Sequence, residues 1–219
     1  MDVAEAVKKR ISTRAFKPDP VPGETVRKLL QMAAQAPSGG NLQPWRVYAL
    51  AGAPLAEFKA LIATSPMEEP EYEVYPASLW DPFRTRRFVC GEDLYASIEI
   101  PREDRPARLR QLARNGEFFG APVGLFFCLD RKLGPPQWSD LGMFMQTFML
   151  LAVAEGLATC PQEYWARYPK TVARFVNLPD DHMLFSGMAL GYADEAAPIN
   201  NWRTRRDPPE VWLDMQGFD

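Results

Sequence analysis

Cysteine and histidine are scarce in this chain: Cys90, Cys128 and Cys160 are its three cysteines, and His182 is the single histidine among 219 residues. The cysteines lie far apart with no C-x-x-C pair, so neither a structural zinc site nor a disulfide framework is expected. No metal is expected. Charge of one sign is not in excess either, with 25 Lys and Arg against 28 Asp and Glu and a net charge of -3. A chain with pI near 5.4 has no broad basic face to displace counterions, which argues against nucleic acid as a partner. Any anion must be met locally. The one long apolar stretch, Leu141 to Val153, is interrupted by Gln146 and Thr147 and flanked by Asp140 and Glu155. It falls short of the roughly 20 apolar residues a bilayer span requires, and reads instead as a helix buried in a core or against a second subunit. Met1 to Glu5 lack the basic and apolar regions of a signal peptide, so a cytoplasmic location is expected. There is no G-x-G-x-x-G, which Gly187 to Gly191 only loosely imitates, and hence no expectation of a separate Rossmann site for a nicotinamide nucleotide.

What is present is a core's worth of apolar side chains, 47% of the chain, sufficient for one domain over residues 1–219. Asp2 can cap a helix whose apolar positions are Val3, Ala6 and Val7. Pro22 suits a second helix start, with Val26, Leu29, Leu30 and Ala33 as its buried stripe, ending at Ala36-Pro37. Trp45 to Leu50 reads as a strand, Leu55 to Ile62 as a helix, and Arg105 to Arg114 as a basic helix. Val123 to Leu129 and Met183 to Leu190 read as strands, with His182 a structural residue at the edge of the latter. Leu141 to Glu155, capped by Gly156, and Pro169 to Val176 read as helices. Residues 65–106 break the pattern while carrying Tyr72, Tyr75, Trp80, Phe83 and Tyr95, too many large aromatics for a linker. They read as an insert. Long helices with three or four strands and no regular βαβ alternation make the expected fold class α+β. Proline, at 21 residues, is about twice its usual 5% share and implies many defined loops.

Two short stretches could carry chemistry. Arg10, Ser12 and Arg14 are spaced by two, so an extended segment would turn all three to one side and let them clamp a phosphate, whereas a helix would not. The plainer alternative is a solvated basic helix end. In Pro37-Ser38-Gly39-Gly40-Asn41-Leu42-Gln43 the glycines permit close backbone approach, and the amides offer the alternating donors and acceptors that match a flavin's pyrimidine edge. The same residues also simply make turns. Cys160 could be a redox thiol, although a buried small hydrophobe is the favoured reading. Tyr72, Tyr75, Trp80 and Phe118 are candidate walls of a substrate site, with core packing as their alternative. Arg84, Arg86 and Arg87 could meet a substrate carboxylate or be solvated.

Taken in order, R-x-S-x-R at 10–14, A-P-S-x-x-N-x-Q-P-W at 36–45, Gly156 to Glu163, and Gly191-Tyr192-Ala193-Asp194 followed by Asn200 and Arg206 resemble the FMN-dependent nitroreductase family, and among its members a nitrobenzoate-reducing subgroup. The resemblance covers nearly all of the chain outside the insert. It implies a central, mainly antiparallel sheet flanked by helices, in an intertwined homodimer with FMN at the subunit interface. Arg10, Ser12, Arg14, Arg206 and Arg203 would then take the phosphate, with Ile11 among them where the family often has Arg or His. Pro37, Ser38, Gly39, Asn41 and Gln43 would contact the ring and ribityl chain, some across the interface. Pro161, Gln162 and Glu163 would lie against the flavin, a backbone N–H reaching N5. The insert would form a lid over the substrate. No catalytic side chain is implied, because flavin N5 carries the chemistry. The implied activity passes hydride from NAD(P)H through FMN to a nitroaromatic or quinone acceptor in a ping-pong sequence. Alternatives that keep the flavin are reductive dehalogenation and non-catalytic flavin binding.

Overall fold

The strand from Val123 to Asp130 explains how this chain folds. Its side chains alternate between two cores: Val123, Leu125, Phe127 and Leu129 enter one, while Phe126 and Cys128 enter the other. A strand covered on both faces has no polar side, hence the unbroken apolar run in the sequence. The computed structural model describes residues 1–218. Its four strands, β1 (Arg46–Ala51), β2 (Val123–Asp130), β3 (Ala158–Gln162) and β4 (His182–Gly191), form one sheet in the order β1-β2-β4-β3, every pair antiparallel. The α+β class and the antiparallel sheet expected from the sequence are both present.

On one face lie α2 (Gly23–Ala33) and α6 (Pro135–Ala154), which bury Leu29, Leu141, Phe144 and Phe148. On the other, α3 (Gly52–Thr64), the turns over 114–120 and 163–167, and α7 (Pro169–Val176) gather Phe58, Phe118, Trp165 and Val172. The first helix, α1 (Val3–Lys9), is capped as expected: Glu5 N donates to Asp2 Oδ1 at 2.7 Å. Gly156 follows the end of α6 with φ of 76°, the left-handed position where glycine costs nothing. Among the described residues no helix is long and apolar enough to cross a membrane.

Three features depart from the sequence reading. The first is α6, which begins at Pro135 instead of Leu141, its first turns being too polar to show the stripe. Inside the supposedly patternless insert lies α4 (Phe83–Ala96), followed after a short connection by α5 (Arg105–Ala113), whose Asp104 cap accepts from Ala107 N at 2.9 Å. None of the α4 residues is buried, so no apolar stripe marks it. The third is β3, which contains Pro161 and had not been read as a strand.

Candidate active site

The segment Arg10 to Phe16 leaves α1 and runs extended alongside β3. Ser12 bridges Thr159 in parallel, Thr13 N donates to Thr159 O at 2.9 Å, and Lys17 N donates to Tyr192 O at 2.9 Å. Thr13 points inward and is almost fully buried, which leaves Arg10, Ser12 and Arg14 alternating to the other side. Asn200, from the tail, fixes this strip. Its Oδ1 accepts from Arg14 N, and its Nδ2 donates to the carbonyls of Ala15 and Asp194, each at 2.8 Å. The sequence reading had quoted Asn200 only as part of a motif; the buried amide is what sews the tail to the arginine strip.

Four arginines and a lysine, Arg10, Arg14, Arg203, Arg206 and Lys8, line a cavity of about 630 Å³ with no acidic residue in its wall. Ile11, Ser12, Gln146 and Trp202 are among the other residues of its wall. Arg203 reaches across to the last carbonyls of α1, those of Lys8 and Lys9, at 3.1 and 3.2 Å, where the helix dipole favours a cation. Burial, and after it the guanidinium groups of Arg206 and Arg203, hold Arg10 below the ordinary arginine value. Among the described residues none of these four arginines has a carboxylate partner. Crowded cations with no counter-charge form a site for an anion with several oxygens.

Arg14 and Cys90 also line a neighbouring cavity of about 900 Å³ whose walls include Pro161, Gln162, Glu163, Tyr75 and Arg87. The cationic hole therefore continues into a wider slot beside β3. Gln162 is buried, and its amide is fully engaged: Nε2 donates to the Asn115 backbone carbonyl at 2.9 Å and Oε1 accepts from Trp165 Nε1 at 3.2 Å. Its side chain holds the end of β3 in place, and only its backbone is left for a ligand. Tyr164, which stands where many members of the resembled family have a Gly after the Glu, lines the same slot, as do Asn115 and Arg167, which the sequence does not single out.

The structure corrects three candidate walls. Phe118 is completely buried against Phe58, Phe126 and Trp165, part of the core and not of a substrate site. Tyr72 packs on Trp138 and Phe185 and donates its hydroxyl to the Phe185 carbonyl; burial, then Glu163, pushes its phenol up to about 12. Trp80 is exposed against Phe83 and lines none of these cavities. Tyr75 alone of the four reaches the slot. The loop carrying Pro37, Ser38, Gly39, Asn41 and Gln43 is open to solvent, braced by Gln43 N on Ser38 Oγ at 3.0 Å and Gly39 N on Asp140 Oδ2 at 3.2 Å. Within one chain it contributes to neither cavity.

Cys160 is buried beneath the arginine strip, and burial raises its thiol to about 11, against the opposing pull of Arg14 and Arg10. Cys128, also buried, is raised to about 12 for the same reason. Neither is a thiolate near neutrality. Ligand-free protein at pH 8 is accordingly expected to show one thiol reactive to a disulfide reagent, the exposed Cys90, and all three after denaturation. Rapid loss of two or three thiols in the native state would contradict this. Because folding favours the neutral Cys160, its contribution to stability is present below its ordinary value of 9.0 and is lost as pH rises toward about 11.

The profile of the Nitroreductase family matches residues 7–192. The chain belongs to the nitroreductase family. The 4-nitrobenzoate reductase of Pseudomonas putida is 37% identical over 221 residues, spanning 100% of this chain and 97% of that protein. Among solved structures, the FMN and NADPH-dependent nitroreductase NfnB from Sphigopyxis sp. strain HMH superposes with a TM-score of 0.96 at 44% identity, covering all of both chains. The FMN-dependent nitroreductase NfnB from Mycobacterium smegmatis, solved in complex with NADPH, gives 0.91 at 28% identity over 98% of this chain and 100% of that one. The likeness extends through the 65–106 insert, so α4 and the tail belong to the shared architecture.

Proposed function

We propose that the protein is an FMN-dependent oxidoreductase that takes hydride from NAD(P)H and delivers the electrons to a nitroaromatic or quinone acceptor in two separate half-reactions. The observation that carries this reading is the acid-free arginine cavity opening through Arg14 into the β3-lined slot. A cationic end beside a wider slot, the two sharing Arg14 and Cys90, matches a phosphorylated flavin. Arg10, Ser12, Arg14, Arg203 and Arg206 would hold the phosphate. Pro161, Gln162 and Glu163 would lie against the ring, with the backbone N–H groups of Gln162 and Glu163 as donors. The bound flavin supplies the hydride chemistry. The chain contributes charge, orientation and exclusion of water, and the insert, through Tyr75, Arg84 and Arg87, acts as the lid.

The exposed loop at 37–43 supports a homodimer in which Pro37, Ser38, Gly39, Asn41 and Gln43 serve the flavin of the other subunit. The exposed apolar residues Val3, Val7 and Met143, on the helices bordering the arginine cavity, and Trp212 and Met215 of the tail, support burial against a second copy. Light scattering should then report two chains per particle, each carrying one FMN by its absorbance.

Steady-state kinetics test the reaction. NAD(P)H oxidation with a nitroaromatic acceptor under argon should give parallel double-reciprocal lines as the second substrate is varied. Intersecting lines would refute the two-step sequence, and a protein that takes up no FMN would refute the whole reading.

A further inference from the structure

The structure separates the three arginines of the insert that the sequence left equivalent. Arg84 is paired with Asp81 one turn away, and Arg86 with Asp207 of the tail. Arg87 has no carboxylate partner among the described residues. Its guanidinium carbon lies 4.6 Å from the centroid of the Tyr75 ring, and both residues line the wide slot with Pro161 and Glu163. A guanidinium held over a phenol face is oriented without being neutralised, so its five N–H donors stay largely available.

The charges around the slot make that availability count. Glu92, one of two acidic residues in its wall, is committed through both oxygens to Arg108 at 2.6 and 2.9 Å. Glu163 and Arg87 both neighbour the Tyr75 hydroxyl, and burial first, then Glu163, push that phenol up against the opposing pull of Arg87. Arg14 belongs to the arginine cavity and donates to the Ser12 carbonyl at 3.1 Å. Arg167, exposed at the rim, rests on Met67 Sδ at 3.5 Å. Arg87 is thus a cation of the slot that is held in direction without a carboxylate partner, in the wall it shares with residues 161–163. Resting on the nitroaromatic reading above, we infer that Arg87 is the specificity-determining residue of the acceptor site, selecting nitroaromatics that bear a carboxylate over neutral ones. The planar carboxylate matches the guanidinium fork.

Arg87→Met keeps an apolar stem, removes the charge, and sits on an exposed helical position, so folding is retained. In the FMN-loaded protein its KM for 4-nitrobenzoate should rise ~10- to 100-fold, the worth of one or two charge-assisted hydrogen bonds, a far larger change than in its KM for nitrobenzene. Arg87→Lys should recover part of the loss. Benzoate, which cannot be reduced, should bind more weakly to Arg87→Met by calorimetry in the same proportion, which reads recognition apart from turnover. The KM values for NADH and NADPH should not move. An unchanged preference between the two acceptors, an equal loss on both, or a loss confined to NADPH (marking Arg87 as a nucleotide phosphate contact) would each overturn the inference. Turnover of neither acceptor by the unaltered protein would overturn the activity itself, and the role of Arg87 with it.

Discussion

Arg10→Ala is expected to yield a folded protein that purifies largely without FMN and binds it at least ~10- to 100-fold more weakly, the value of one or two hydrogen bonds to a charged group. The sign of its effect on stability should depend on the ligand. Without an anion, Arg10 is a half-buried cation facing Arg203 and Arg206; removing it relieves both desolvation and repulsion, so the ligand-free variant should melt no lower than the parent. With FMN present the order should reverse. A ligand at 100 times its Kd stabilises by about 2.7 kcal/mol, and for a domain of this size each kcal/mol moves Tm by about 2–4 °C. The parent should therefore gain roughly 5–11 °C from FMN at a concentration where the variant gains about 1–6 °C. Inorganic phosphate should raise the parent's Tm in the same direction, since the cavity has four arginines and no acid of its own. A variant that retains FMN with parental affinity would remove Arg10 from the clamp.

That clamp was half legible in the sequence. The alternation Arg10, Ser12, Arg14 implied a shared side only if the segment were extended, and nothing local decides that, because the extension is imposed by hydrogen bonding to Thr159 and Tyr192. The double-faced burial of β2 and the Asp2 cap were readable because each is a local pattern with one physical solution. By contrast, α4 buries nothing and so writes no periodicity into the chain. The strand β3 was hidden by Pro161, which lacks the N–H a ladder uses; it is tolerated because β3 ends the hydrogen-bonded order of the sheet. The sequence leaves Phe118 between a wall and core packing because its surroundings fit no regular element. The backbone instead takes the left-handed region at Phe118 and Phe119, with φ of 50° and 55°, uncommon for aromatic residues. Core packing holds that conformation: the Phe118 ring occupies the place where a Cβ on Gly124 would stand, 2.6 Å from its nearest atom.

A second glycine slot ties the core to the site, and it yields the largest expected loss of stability. Trp165 is completely buried, with ring centroids 4.6 Å from Phe118 and 5.4 Å from both Phe58 and Phe126. Trp165→Ala should cost about 3–5 kcal/mol, and it also leaves Gln162 Oε1 buried without its donor. Because Gln162 closes β3 next to Glu163 on the slot wall, FMN affinity should fall with stability. Gly187, paired with Gln162 across the ladder, lies beneath the same indole: a Cβ there would stand 2.2 Å from Trp165 Cδ1. The strand cannot retreat, since β4 is hydrogen-bonded on both sides. The indole must move, and Gly187→Ala alone should therefore cost about 1–3 kcal/mol or more as overpacking. In a Trp165→Ala background the slot is vacant, and the added methyl meets no ring. Gly187→Ala should then cost far less than it does in the parent, a coupling measurable by denaturant unfolding of the four proteins in a double-mutant cycle. Strictly additive losses would show that Gly187 is required for some reason other than the indole above it.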